Sequence, residues 1–187
     1  MEDPTTIKLM IPRQDYTGLP LFQPDLQAAV NWVQSLPVTN TNSLVQLLGQ
    51  ARYKLMTDKL SAAMQINRRI YALAQEQNDA RLMLAAYQVL ATIFHFLGEF
   101  DSSRKYARRG VQIWRSGSVQ SPVVEEITAP VVLCLIYEAM SDWHFGEIAS
   151  CHALMDEAIA TAKELKDRYT LAMALAWAAS LAHLERD

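Results

Sequence analysis

Along most of this chain apolar residues recur at three- and four-residue spacing, the period of an amphipathic helix. The pattern predicts helices near 24–36, 42–56, 58–77, 79–97, 100–116, 123–145, 147–165 and 168–186. Start signals fit several of these. Asp25 follows Pro24, Asn42-Ser43 precedes Leu44, and Thr57-Asp58 precedes Lys59, all residue types whose side chains cap the first turn. Gly98 and Gly146 stand where helices end, because glycine enters the left-handed conformation without a Cβ clash. Prolines 4, 12, 20, 24 and 37 crowd the first part, and Pro122 and Pro130 follow later. The stretches 38–121 and 131–187 are proline-free and can be helical throughout. Residues 1–23 read as an extended arm containing the short apolar run Ile7–Ile11. Docking on the helical body, strand addition to a partner and disorder all stay open for that run. The division expected is an arm over 1–23 and a helical domain over 24–187. Short connections make neighbouring helices antiparallel hairpins, so the fold class is all-α.

Self-comparison shows a repeat. At an offset of 48, Gly98-Glu99-Phe100 falls on Gly146-Glu147-Ile148, Ser103 on Cys151, Tyr106 on Leu154, Gly110 on Ala158 and Ala91 on Ala139. At an offset of 87, Leu84-Ala85 falls on Leu171-Ala172, Ala91 on Ala178 and Phe94 on Leu181. The last helix then reads as the first half of a further unit. Small residues recur where two helices of a hairpin approach closely. Leu90-Ala91, Phe94, Gly98, Phe100, Ser103 and Gly110 resemble the tetratricopeptide repeat. A degenerate unit precedes it, with Leu60, Ala63, Ile66 and Ile70 aligned to Phe100, Ser103, Tyr106 and Gly110. The resemblance implies a right-handed superhelix of helix hairpins.

A second resemblance covers residues 82–187. Phe94–Phe100, Asp156–Leu165 and Leu171–Ala179 look like the tetratricopeptide region that follows the ATPase module of large bacterial signalling proteins. These include ATPases fused to cyclases or kinases, and maltose-activator-type regulators. It implies a helical array that senses a ligand or a protein. The ATPase, cyclase and kinase modules are not in this sequence, so their nucleotide chemistry is not inherited.

Composition narrows the function. Hydrophobic residues make up 51% of 187, enough for a sizeable core. The net charge of −3 argues against nucleic acid or an anionic membrane as partner. No apolar run reaches the ~18–20 residues of a membrane span; the nearest, 129–140, is interrupted by Glu138. Cys134 and Cys151 lie in apolar helical patterns, which fits reduced thiols and a cytoplasmic setting. The N-terminus is acidic and polar, unlike a signal peptide.

The chemistry-bearing residues point to binding. In stacked hairpins the first helix of each pair lines the concave face. Its inward positions are Gln88, Thr92, His95 and Phe96, then Leu133, Ile136, Met140, Trp143 and His144, then Leu175, Ala179, Ala182 and His183. A groove of anchors follows, best represented by His95, Phe96, Met140, Trp143, His144 and His183, with Gln88 and Thr92 beside them. The bland alternative makes Met140 and Trp143 plain core. A basic patch of Arg104, Lys105, Arg108 and Arg109 forms two stripes on one helix, facing an acidic partner, a nucleotide phosphate or solvent, with Glu99, Asp101 and Glu125-Glu126 as internal balance in the last case. His144, Cys151 and His152 do not share a helix face, so no metal is expected. No glycine-rich phosphate loop and no nucleophile–histidine spacing occurs, so neither a cofactor nor catalysis is expected. The function expected is a non-catalytic module that binds a peptide or partner helix. Small-molecule sensing and homodimerisation through the C-terminal helix are the alternatives.

Overall fold

The computed structural model describes residues 47, 49–51, 53–55, 57, 59–119 and 129–185. The expected arm over 1–23, the helix over 24–36 and the arm–domain boundary lie outside them. Helical backbone at 49–51 and 53–55 leads into six complete helices: α1 (Leu60–Glu76), α2 (Ala80–Phe96), α3 (Phe100–Arg115), α4 (Pro130–His144), α5 (Ile148–Glu164) and α6 (Arg168–Leu184). No strand occurs among the described residues.

The connections alternate between two local chemistries. After α2 and α4 the chain reverses through Gly98 and Gly146, at φ of 75° and 76°. Glu99 N–H then closes on the Phe94 carbonyl, and Glu147 N–H on that of Asp142, the bond that satisfies a helix-terminal carbonyl. After α1 and α5 the left-handed residue is Asn78 or Lys166, at φ of 49° and 54°. An aspartate follows each time. Asp79 Oδ1 accepts from the amides of Arg81 and Leu82, and Asp167 Oδ1 from that of Tyr169. These aspartates are the side-chain N-caps of the array. Thr57, expected to open a helix, instead donates its hydroxyl to the Tyr53 carbonyl at 2.9 Å and so closes the preceding one. The helix expected from 123 starts at Pro130, in the first-turn position where proline's missing N–H costs nothing; 120–128 lie outside the described residues.

The hairpin turns keep the 48-residue offset, with α2 and α4 ending and α3 and α5 beginning 48 residues apart, and the helix limits correct the other offset. Both α2 and α6 begin and end 88 residues apart, one more than the sequence match suggested. Buried Ile93 therefore corresponds to buried Leu181. The degenerate unit is real: burial over 61–70 repeats position by position over 101–110.

Small residues set the spacing of the hairpins. Ser103, fully buried, donates to the Ala91 carbonyl at 2.9 Å and so ties α3 to α2. Gly110 lets α3 settle on α4, where a Cβ would meet Cys134 Sγ at 2.5 Å and Leu84 Cδ1 at 3.2 Å. Along α4 every residue from Pro130 to Asp142 is buried, because this helix is covered by α2, α3, α5 and α6. Thr170 ties the start of α6 to the start of α4, accepting from Ala129 N–H at 3.0 Å and donating to Asp167 Oδ2 at 2.7 Å.

The contacts also define a curvature. The backbones of α2 and α4, and of α4 and α6, come close, whereas those of α1, α3 and α5 do not approach one another. The even-numbered helices therefore line the inner side. The odd-numbered ones stand apart outside, with furrows between them.

Gly110→Ala tests the close approach. Overpacking of about 1–3 kcal/mol opposes a helix-propensity gain of about 1 kcal/mol, so chemical denaturation should show a net loss of roughly 1 kcal/mol. A variant as stable as the parent would mean that α3 and α4 are not in close contact.

Candidate functional site

The inner side carries an aromatic cluster built by three successive helices. His95 of α2, Tyr137 of α4 and Trp177 of α6 meet with ring centroids 5.1 Å (His95–Tyr137), 5.6 Å (His95–Trp177) and 5.7 Å (Tyr137–Trp177) apart. Tyr137 and Trp177 occupy one repeat position, which Val89 fills in α2. Phe100 packs against His95 at 5.7 Å and stacks on His144 at 3.5 Å. Trp143 lies edge-on to His144 at 4.9 Å.

Polarity beneath the rings is internal. Gln88 Nε2 donates to Thr92 Oγ1 at 2.8 Å, and Thr92 donates to the Gln88 carbonyl at 2.9 Å. The Tyr137 hydroxyl is held high, to about 12, by burial. His95 Nδ1 is buried without a hydrogen-bond partner. Burial, aided by His144 nearby, lowers the His95 pKa from its usual 6.5 to about 4, so the imidazole is neutral at pH 7. His144 is lowered too, by burial alone.

The expected groove residues thus divide. His95 and Trp143 are half-buried, and Phe96, His144 and His183 are exposed, Phe96 by 59%. Gln88, Thr92 and Met140 are buried, at 3%, 6% and 3% exposure. Met140 joins the core cluster around α4 and has no face for a partner. Leu133 and Ile136 are core as well. Sequence reasoning missed Tyr137 and Trp177. The signal was present at offsets of 48 and 88 from Val89, and the 87-residue register hid half of it.

The basic patch also divides. Arg104 Nε lies 2.9 Å from Asp142 Oδ1, and its terminal nitrogens bind Glu147 at 2.9 and 2.7 Å. Arg108 reaches Glu138 at 2.8 Å, and Arg115 reaches Glu157 at 2.6 Å. Asp142 is fully buried at the C-terminal end of α4, where the helix dipole opposes a negative charge. The two arginines and the Ser150 hydroxyl, 2.5 Å away, compensate for it. Glu138 is pushed up by burial and pulled back by Arg108. The acids that balance this stripe are those of the next hairpin, in place of the expected Glu99 and Asp101. Lys105 and Arg109 face the other way and make no ion pair among the described residues.

Cys134 and Cys151 are buried thiols, and burial pushes Cys151 up to about 11. Among the described residues no three His, Cys, Asp or Glu side chains gather as a metal-holding group. No helix among them is long and apolar enough to cross a membrane.

The family model of anaphase-promoting complex subunit 5 matches residues 127–185, which contain α4, α5 and α6. No curated protein matches the chain. The match covers less than half of the sequence and supports a tetratricopeptide-like helical repeat of the protein-interaction kind there. It does not extend to the bacterial regulator types that the sequence resembles.

Two measurements test the site's electrostatics. Because the folded chain holds His95 neutral, stability contributed by this group is full above pH 6.5 and falls as pH drops towards 4. His95→Gln should flatten that loss in urea titrations at successive pH values; an unchanged slope would contradict the burial of His95. Asp142→Ala should cost roughly 3 kcal/mol, the low end for a buried pair because Arg108 stays half-exposed. A loss under about 1 kcal/mol would show that the arginines do not depend on it.

Proposed function

We propose that this domain is a non-catalytic interaction module whose inner face, formed by α2, α4 and α6, seats a peptide or helix of a protein partner. The observation that carries the reading is the His95–Tyr137–Trp177 cluster. Tyr137, 4% exposed, is the buried floor of the cluster, the half-buried His95 and Trp177 form its accessible part, and Phe96 and His144 extend the aromatic surface towards solvent. Half-buried aromatic side chains ringed by packed neighbours are the usual energetic centres of interfaces. The neutral imidazole of His95 can bond a peptide group without a charge to desolvate. Likeness of α4–α6 to the family model of a complex subunit supports a protein as the occupant. A cytoplasmic, bacterial regulatory setting is part of the proposal, supported by the sequence resemblance over residues 82–187.

Trp177→Ala is the direct test. Peptides selected from a random library on the parent chain should lose about 2 kcal/mol of affinity, with helicity by circular dichroism unchanged because Trp177 is half-buried. Retained affinity would place the interface elsewhere.

Self-association through α6 is a second reading, favoured by Leu175 and Leu184, each 49% exposed on that helix. Sedimentation equilibrium should then show a dimer that Leu175→Glu dissociates, and a monomer at all concentrations would exclude it.

A further inference from the structure

Of the two outer furrows, the one between α3 and α5 is crossed by ion pairs. Arg104 and Arg108 reach Asp142 and Glu138 on its floor, and Arg115 reaches Glu157 on the far bank. The furrow between α1 and α3 is built on the same plan with the carboxylates removed. At the 48-residue offset Leu90 stands for Glu138, Phe94 for Asp142 and Arg109 for Glu157. At the 40-residue offset of α1 from α3, Arg68 stands for Arg108.

Tyrosines fill this furrow instead. Tyr71 of α1, Tyr87 of α2 and Tyr106 of α3 form a ladder with centroids 5.8 and 6.1 Å apart, each ring half-buried. The Arg109 guanidinium lies 5.9 Å from the Tyr87 ring and 5.8 Å from that of Tyr106, and Lys105 Nζ 5.9 Å from Tyr106. Arg68, Lys105 and Arg109 are exposed. None of the three makes an ion pair among the described residues.

We propose that the α1–α3 furrow binds an acidic segment of a protein partner, whose carboxylates pair with Arg68, Lys105 and Arg109 as Glu138 and Glu157 pair with the arginines of the neighbouring furrow. The tyrosine faces receive its apolar side chains and stems. This surface is separate from the inner aromatic face. A phosphate monoester fits less well: the amides beside the cations are spent inside α3, leaving no cluster of free N–H groups. A carboxylate row spaced along a peptide matches cations one helical turn apart.

The test uses the full chain and fluorescence anisotropy with a labelled peptide of ten glutamates interrupted by one phenylalanine. The parent should bind it in a salt-dependent way. Lys105→Glu combined with Arg109→Glu should weaken binding at least tenfold. A control carrying the same charge change elsewhere, Lys163→Glu with Arg168→Glu, should stay within twofold, as should Trp177→Ala on the inner face. Circular dichroism melts check that each variant is folded. If the reversal variant does not fold, Lys105→Gln with Arg109→Gln takes its place, with at least a threefold loss expected. Three results overturn the proposal: no binding by the parent, equal losses in site and control variants, or equally tight binding of an oligothymidylate of the same charge. The last would mark a general polyanion surface.

Discussion

The structure depends on the burial of one helix. From Pro130 to Asp142 no residue of α4 reaches solvent appreciably, and α2, α3, α5 and α6 all rest on it. Hydrophobic burial of that extent stabilises in proportion to apolar area, and it requires close approach. Gly110 supplies that approach on the α3 side, where a methyl group would strike Cys134. Along the inner side α4 draws α2 and α6 together, so Tyr137 can bring His95 and Trp177 into one cluster. The aromatic site and the core are therefore consequences of the same packing.

Full burial of α4 also has an electrostatic cost, because the helix carries Glu138 and Asp142 inward with its apolar residues. Uncompensated, each carboxylate would oppose folding by several kcal/mol. Arg104 and Arg108 on α3 are committed to offsetting them. That commitment explains why one cation stripe of α3 is closed to partners while Lys105 and Arg109, a residue further round the helix, remain available. A like-charged run in the sequence is thus two structures back to back.

Much of this was legible in the residues. Three- and four-residue periodicity located the helices. Gly98 and Gly146 marked the turns through their left-handed backbone, and the recurrence of Ser103 and Gly110 at Cys151 and Ala158 gave the hairpin spacing. What stayed hidden depends on partners distant in sequence. Nothing local distinguishes Met140, which is core, from Trp177, which stands half-exposed in the site; each is an apolar residue on an inner helix. The acids that neutralise Arg104 and Arg108 lie 30 or more residues away. The one-residue error in register arose because Lys166, unlike the glycines and Asn78, is a residue type that does not announce a left-handed turn.

Hydrogen–deuterium exchange followed by mass spectrometry tests the central claim most directly. If α4 is the element on which the others rest, its amides from 134 to 142 exchange slowest in the chain, opening only with global unfolding, while α1 and α6 exchange faster from their less covered faces. Exchange in α4 as fast as in α1 or α6 would contradict the account.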